Sequence, residues 1–362
     1  MSGRSTDAVE QPSVRPRRPS VTRADVAKLA GVSTAVVSYV VNDGPRPVAP
    51  ATAVRVREAM EMLGYLPNAS ARALRLGSTG TLGLVLGDSQ NPHFSEYTYE
   101  LGQVAAAHGK RLLIADTRQD ESLENQIVED LVSRQVDGLL FASPLSQIDE
   151  NLPLRVAGTP VVLIDCPGPI PGRRTVGADA AGGAELLVNH LIEHGRERIG
   201  LIVGDSGFGD PDPREQGWRR ALQGAGLPDG PIVRVPFTRE GGYAGAQVVL
   251  DQEPRVDAVF ASNDLQGIGL VRALQERGLR IPEDVAVVAF DGTKESAFCW
   301  PPLTVARQPR AALAEAAIGL LLEPGTRGRH IQLPTELVRR ASCGCAHADD
   351  VDQPQANLLT RG

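Results

Sequence analysis

Three short stretches of this 362-residue chain carry residue types that could do chemistry. His190, Glu193 and His194 follow the spacing H-x-x-E-H, which puts two imidazoles one helical turn apart, as in an inverted zinc-protease helix. Such a site needs a third metal ligand, and the sequence beside it offers none. Cys343 and Cys345 form a Cys-x-Cys pair that could ligate a metal only with partners from elsewhere. Gly204-Asp205-Ser206-Gly207 has the makeup of a serine-protease loop, but it closes an apolar run that suits a parallel strand, and that chemistry uses an all-β framework. None of the three completes a reactive set, so the expectation is a non-enzyme with no catalytic residues, no metal and no cofactor.

The elements around these stretches point elsewhere. From Thr81 onward, apolar runs alternate with amphipathic stretches: LGLVLG (82–87), RLLIAD (111–116), DGLLFAS (137–143), PVVLID (160–165), RIGLIVG (198–204), DAVFAS (257–262) and VAVVAF (285–290). Continuous apolar strands separated by helices imply parallel sheets covered on both faces and joined by right-handed crossovers. More than 250 residues of this texture exceed one comfortable sheet, so the pattern predicts two lobes, with a joint near Pro171 to Val176.

Residues 21–66 have a different texture. Thr22 can cap a first helix, with Asp25 three positions on as its reciprocal partner, and Val26, Leu29 and Ala30 give an apolar stripe. Gly31 ends that helix, and Ser33 can cap a second one through Val36, Val37, Val40 and Val41. After Asn42-Asp43-Gly44-Pro45, a third helix opens with Pro50, buries Val56, Ala59, Met60 and Leu63, and stops at Gly64. Two short helices around Gly-Val-Ser make a helix-turn-helix, and the small polar exposed face of the second suits a major groove better than a core. Ser33, Thr34, Ala35 and Ser38 are placed to reach base edges, with Ala35 small enough to sit on a thymine methyl. Arg23, Tyr39 and Asn42 are placed to hold phosphates and fix register, and Thr22 is a further expected DNA-binding residue.

Charge divides the same way. The whole chain carries −7, but residues 1–78 hold 11 Lys+Arg against 6 Asp+Glu, net +5, and the remainder is net −12. A basic head on an acidic body suits phosphate at one end only. With 42% hydrophobic and 22% charged residues the composition is that of ordinary globular domains. Residues 1–20 and 346–362 are polar and aperiodic, and are expected to be disordered tails. No early apolar h-region and no apolar run near the roughly 18 residues of a membrane span are present. The four cysteines suit reduced thiols. The expected location is the cytoplasm.

Residues 21–74, VTRADVAKLAGVSTAVVSYVVNDGPRPVAPATAVRVREAMEMLGYLPNASARAL, resemble the headpiece of the lactose-repressor/galactose-repressor family of transcriptional regulators. The resemblance continues to about Gly344 through QNPHF (90–94), REQGW (214–218), FTREGGY (237–243), ASNDLQGIG (261–269), VVAFDG (287–292), PPLTVARQP (301–309) and LPTELVRR (333–340). It implies a small all-α helix-turn-helix head (21–66), a hinge helix (67–78) and a two-lobed α/β sensor of the periplasmic-binding-protein type, used also for dimerisation (79–345). The segment Asn68 to Leu76 then folds on operator DNA, with Leu74 wedged into the minor groove. Two departures stand out. Tyr39 occupies a position that often holds arginine, and Ala49 replaces the usual Ser/Thr cap of the third helix.

The resemblance also places His93, Phe94, Asp165, Arg214, Phe237, Asn263 and Asp291 around one cleft between the lobes. Aromatic faces there suit a sugar ring or a flat base, and the charged and amide groups suit hydroxyls. The function implied is a repressor whose affinity for operator DNA is set by a small molecule, a sugar first and a nucleoside second. The tail lacks a leucine heptad, which favours a homodimer over a tail-assembled tetramer. An exported sugar carrier with the same body is the rival reading, opposed by the basic head and the missing leader.

Overall fold

The computed structural model describes residues 21–42, 46–67, 73, 77–142, 152, 156, 158–204, 212–252, 255–323, 325 and 328–345. The expected tails, the Asp43-Gly44-Pro45 turn, Leu74 with nearly all of the hinge, and Asp205 to Gly207 lie outside the described residues. The chain separates into two compact units, Met1–Thr79 and Gly80–Gly362.

In the first unit, α1 (Arg23–Ala30) starts from the reciprocal cap expected of Thr22 and Asp25. Thr22 Oγ1 accepts from the Asp25 N–H at 3.3 Å, while the Asp25 carboxylate accepts the Thr22 N–H at 2.8 Å. Gly31, at φ 64°, closes the helix by donating to the Ala27 and Lys28 carbonyls, a backbone setting that suits glycine. Ser33 Oγ accepts from Val36 N–H at 3.4 Å ahead of α2 (Thr34–Asn42). Ala49 gives α3 (Pro50–Leu63) no side-chain cap.

Val26, Ala27, Ala30, Val37, Val56 and Ala59 form the small core. One residue of the α1 stripe is corrected: Leu29 is 50% exposed and Ala27 is buried instead. On a helix the inward face is set by Val26, Ala27 and Ala30 together, and Leu29 falls on its flank.

The second unit contains two six-stranded sheets. The first is ordered β11-β5-β4-β3-β1-β2 and the second β12-β10-β9-β8-β6-β7. The strands are β1 (Thr81–Leu86), β2 (Arg111–Asp116), β3 (Gly138–Ala142), β4 (Val161–Ile164), β5 (Thr175–Ala178) and β6 (Ile199–Gly204). The rest are β7 (Ile232–Val235), β8 (Ala258–Ala261), β9 (Ala286–Asp291), β10 (Thr304–Arg307), β11 (His330–Leu333) and β12 (Glu336–Val338). Pairing is parallel throughout the described strands except between β10 and β12.

Alternate residues of the central strands feed cores on opposite faces, which is why those runs read as continuously apolar. On the first sheet Leu82, Leu84 and Leu140 pack under α4 (Pro92–Ala107) and α11 (Arg310–Leu322), while Val85, Leu139 and Phe141 pack under α5 (Glu121–Ser133). On the second, Leu201, Phe260 and Val288 face α6 (Ala180–Glu193) and α7 (Pro213–Gly224). Ile202, Val259 and Val287 face α8 (Arg239–Leu250) and α9 (Asp264–Glu276), and the short α10 (Lys294–Phe298) follows β9.

The chain passes between sheets three times, after β5, after β10 and after β11. The joint expected at Pro171 to Val176 is therefore corrected, because Thr175–Ala178 is a fully buried strand still inside the first sheet. The real crossing comes at Asp179, whose N–H donates to the Leu333 carbonyl at 2.7 Å and so ties the first passage to the third.

Candidate ligand cleft and candidate nucleic-acid interface

The cleft candidates sit where strands end or the following helices begin, the edge at which doubly wound sheets bind ligands. His93 and Phe94 lie in the first turn of α4, after β1. Asp165 directly follows β4, Asn263 caps α9 after β8, and Asp291 ends β9. Two of these aspartates hold positive φ, 55° at Asp165 and 102° at Asp291, backbone strain of a kind that clusters at functional sites.

His93 is buried with both ring nitrogens lacking a hydrogen-bond partner. Its Nε2 lies 3.5 Å from Asp165 Oδ1 of the first lobe and its Nδ1 lies 4.0 Å from Asp291 Oδ1 of the second. Burial works against the charged imidazole, but Asp291 and Asp165 outweigh it and hold the His93 pKa above its ordinary value. Burial likewise pushes Asp165 upward, and His93 and Arg214 reverse that, leaving its carboxyl below the usual range. At Asp291 burial prevails over His93 and Arg214, so that carboxyl is raised.

Arg214 is held before any ligand arrives. Its Nε and Nη2 donate to Asp212 Oδ1 and Oδ2 at 2.8 and 2.7 Å, and its Nη1 donates to the Ser262 carbonyl at 2.7 Å. Three of its five N–H groups are engaged this way and two remain to donate. Its guanidinium lies 5.1 Å from the Phe237 ring centre and 5.6 Å from that of Phe290. The Phe237 ring also lies against Gly204, where a Cβ would come within 1.8 Å of it. Phe237 is half-buried, with Arg214 over its ring and Gly204 against it, which leaves less ring face to offer than its residue type suggests. Phe94, half-buried, meets His93 edge-on at 5.0 Å between ring centres. Asn263 is buried and occupied as well, accepting from Gln266 N–H at 2.8 Å and donating to the Phe237 carbonyl at 3.3 Å.

Five residues of this cluster escaped the sequence reading. Asp212 clamps Arg214, and Gln308 donates to Asp291 Oδ1 at 2.8 Å. Arg310 donates to the carbonyls of Asp291 and Gly292, and also pairs with Glu96 of α4 at 2.8 Å. Glu96 in turn accepts the Lys294 N–H at 2.9 Å, a direct link between lobes. Asp264 accepts both the N–H and the hydroxyl of Thr293, and burial with Asp291 nearby raises its pKa to about 7. A helix-cap signal in Asp-Pro-Arg could have found Asp212; no local signal marks the others, of which Gln308 and Arg310 reach the cleft from the passage after β10.

The H-x-x-E-H stretch lies at the C-terminal end of α6, with His194 as its cap.

In the head, Ser33, Thr34 and Ala35 at the start of α2 are exposed, and Ser38 and Tyr39 are half-buried. Asn42 turns back on its own helix, donating to the Ser38 carbonyl at 2.9 Å. Thr22 is spent on the cap described above, while Arg23 is exposed beside it. Arg46, Arg55 and Arg57 add exposed cations. No single helix among the described residues is long and apolar enough to cross a membrane.

Residues 22–68 match the family model of bacterial regulatory proteins, lacI family, and residues 188–343 match that of a periplasmic binding protein-like domain. The ribose operon repressor of Escherichia coli K12 is 34% identical over 329 residues, which cover 89% of this chain and 99% of that protein. The HTH-type transcriptional repressor PurR of Haemophilus influenzae PittEE is 34% identical over 305 residues, covering 83% and 90%. Among solved structures, a Lac repressor dimer bound to operator and the anti-inducer ONPF superposes with a TM-score of 0.81 at 26% identity, covering 90% of this chain and 99% of that one.

Proposed function

The chain belongs to the lacI family of bacterial regulatory proteins, as a DNA-binding transcriptional repressor under small-molecule control and not an enzyme, and from that premise we propose how it does so. A hydroxyl-rich effector, a sugar before a nucleoside, binds between the lobes to His93, Asp165, Arg214 and Asp291, with Phe94 and Phe237 as walls and Asn263 shaping the rim. The observation that carries this reading is His93: a buried imidazole with two unsatisfied nitrogens between a carboxylate of each lobe. A vicinal diol can donate to the carboxylates and meet the imidazole at once, which removes the cost of leaving those groups unpaired. Arg214 over the Phe237 ring weighs against a stacked base and so favours the sugar.

The proposed division is a head at 21–66, a hinge at 67–78 and a sensor at 79–345, with tails beyond. Ser33, Thr34, Ala35 and Ser38 read bases; Thr22, Arg23, Tyr39 and Asn42 hold phosphates; Leu74 is the wedge. Two copies associate as a homodimer in the cytoplasm, supported by exposed apolar side chains on both lobes, among them Tyr99, Ile114, Phe298 and Trp300. Effector binding alters the lobe angle and hence hinge spacing in the dimer, which requires unequal effector affinity for the two states.

The test is binding of the purified protein to a genomic fragment library with and without separate pools of pentoses, hexoses and nucleosides. Recovery of one palindromic site whose occupancy changes with a sugar pool supports the reading; a response to nucleosides alone overturns the ligand class.

A further inference from the structure

We propose that His190, His194, Cys343 and Cys345 together form a four-ligand site for a zinc-type cation, which fastens the chain after β12 to α6. The two stretches that each lack partners in the sequence supply one another. Their four ligand atoms all lie within 4.8 Å of one another. His190 Nε2 is 3.2 Å from Cys343 Sγ and 3.4 Å from Cys345 Sγ, and His194 Nε2 is 3.4 Å from Cys345 Sγ. In a tetrahedron with zinc–sulfur bonds of about 2.3 Å and zinc–nitrogen bonds of about 2.0 Å, the nitrogen–sulfur edge is about 3.5 Å. Three of the four nitrogen–sulfur edges are therefore already close to that spacing.

Local structure explains how four residues converge. His190 and His194 lie one turn apart at the end of α6, with ring centres 4.6 Å apart. Cys343 ends a short 3-10 turn (Ala341–Cys343) that follows β12. Gly344, at φ 106°, reverses the backbone so that Cys345 faces the same imidazoles as Cys343.

Supporting groups sit behind the ligands. The Thr304 hydroxyl on β10 lies 3.0 Å from Cys343 Sγ, able to donate to a thiolate. His190 Nδ1 faces Glu193 Oε2 at 3.9 Å, which leaves Nε2 as the ligating nitrogen. Two thiolates with two imidazoles select a soft or borderline cation over calcium or magnesium. All four positions are filled by protein, the pattern of a closed structural site with no room for a reactive water. Glu193 is thus a positioning group for His190 and not a hydrolytic base.

The experiment uses the full-length protein, stripped with a chelator and kept reduced with a phosphine. Titration with cobalt(II) is expected to give one ion per chain, with the intense visible absorption of tetrahedral thiolate-bound cobalt, displaced by zinc. Zinc is expected to raise the thermal midpoint and chelator to reverse it. His194→Ala and Cys345→Ser, at exposed and half-buried positions, are expected to fold, lose that absorption and bind more than about 100-fold more weakly. His108→Ala, at an exposed histidine elsewhere, is expected to leave it intact. A pale six-coordinate spectrum, absent binding, or absorption kept by both variants overturns the site and leaves only thiol–imidazole hydrogen bonds.

Discussion

His93 on α4 of the first lobe and Asp291 at the end of β9 in the second face each other at 4.0 Å across the cleft, the histidine buried and the aspartate held at positive φ. The attraction raises the His93 pKa above its ordinary 6.5, so the protonated ring favours this arrangement of lobes. Its contribution is complete below pH 6.5 and is lost as the pH climbs through the raised value. Thermal unfolding from pH 5.5 to 9 is expected to show that decline in the parent protein, and His93→Gln is expected to flatten it. An unchanged slope in the variant removes His93 as its source.

Asp264 adds a second step of the same sign at lower pH. Its folded pKa of about 7 exceeds the ordinary 3.8, so the folded state holds a proton that the unfolded chain releases, and stability falls as pH rises from about 4 to about 7. The full linkage value of that shift is at most about 4 kcal/mol. Asp264→Asn keeps an acceptor for Thr293 and is expected to abolish this part of the pH dependence, measured by denaturant unfolding at pH 5 and pH 8.

Asp291→Asn is expected to separate sensing from DNA binding. Asparagine tolerates positive φ and can still accept from Gln308, but it no longer draws protonated His93 or accepts two ligand hydroxyls. Operator affinity without effector should stay within about threefold, while effector response should drop by about tenfold or more, corresponding to one charged hydrogen bond. Titration of operator complexes with effector decides it, and equal loss of both properties contradicts the assignment.

On the head, Arg23→Ala is expected to weaken all operator variants alike and to lower the salt slope by about one. Ala35→Asp should instead reorder preference among operator half-sites, because Ala35 is exposed at the start of α2. Binding to a randomised half-site library at two salt concentrations distinguishes the two behaviours.

Trp218 of α7 is fully buried and donates its indole N–H to the Ile199 carbonyl at 3.2 Å. Trp218→Ala is expected to cost about 3–5 kcal/mol of stability, read as a lower denaturation midpoint. With Trp300 80% exposed, the native fluorescence of the parent has one buried and one solvated source, and the variant should lose the blue component.

The sequence pattern revealed elements that carry their own signal. Six of the seven recognised strands run through the middle of a sheet, where both faces demand apolar residues, while the seventh, β2, is an edge strand whose Leu113 and Ile114 are exposed. The other five are three or four residues long, and Ile232–Val235, His330–Leu333 and Glu336–Val338 among them carry polar or charged members at half-buried or exposed positions. Periodicity cannot mark so short a segment.

The cleft was legible in the same uneven way. The family resemblance pointed to Asp165 and Asp291, but Gln308 and Arg310 lie on the passage after β10, and Glu96 acts through Arg310 and Lys294, pairings that no local pattern encodes. Leu29 shows the opposite error, a helical apolar position that the neighbouring helices leave in solvent.

Because the chain returns to the first sheet so late, that lobe is not a contiguous product of translation. β11 and the helix α11, whose Leu313, Ala317 and Leu321 cover Leu82, Leu140 and Val162, come from residues 310–333. A ribosome that has delivered everything up to β10 has released the head and most of the second lobe, while one apolar face of the first lobe is still bare. The sensor therefore matures only when synthesis is nearly over, and a message truncated before codon 310 yields a head with no lobe able to govern it.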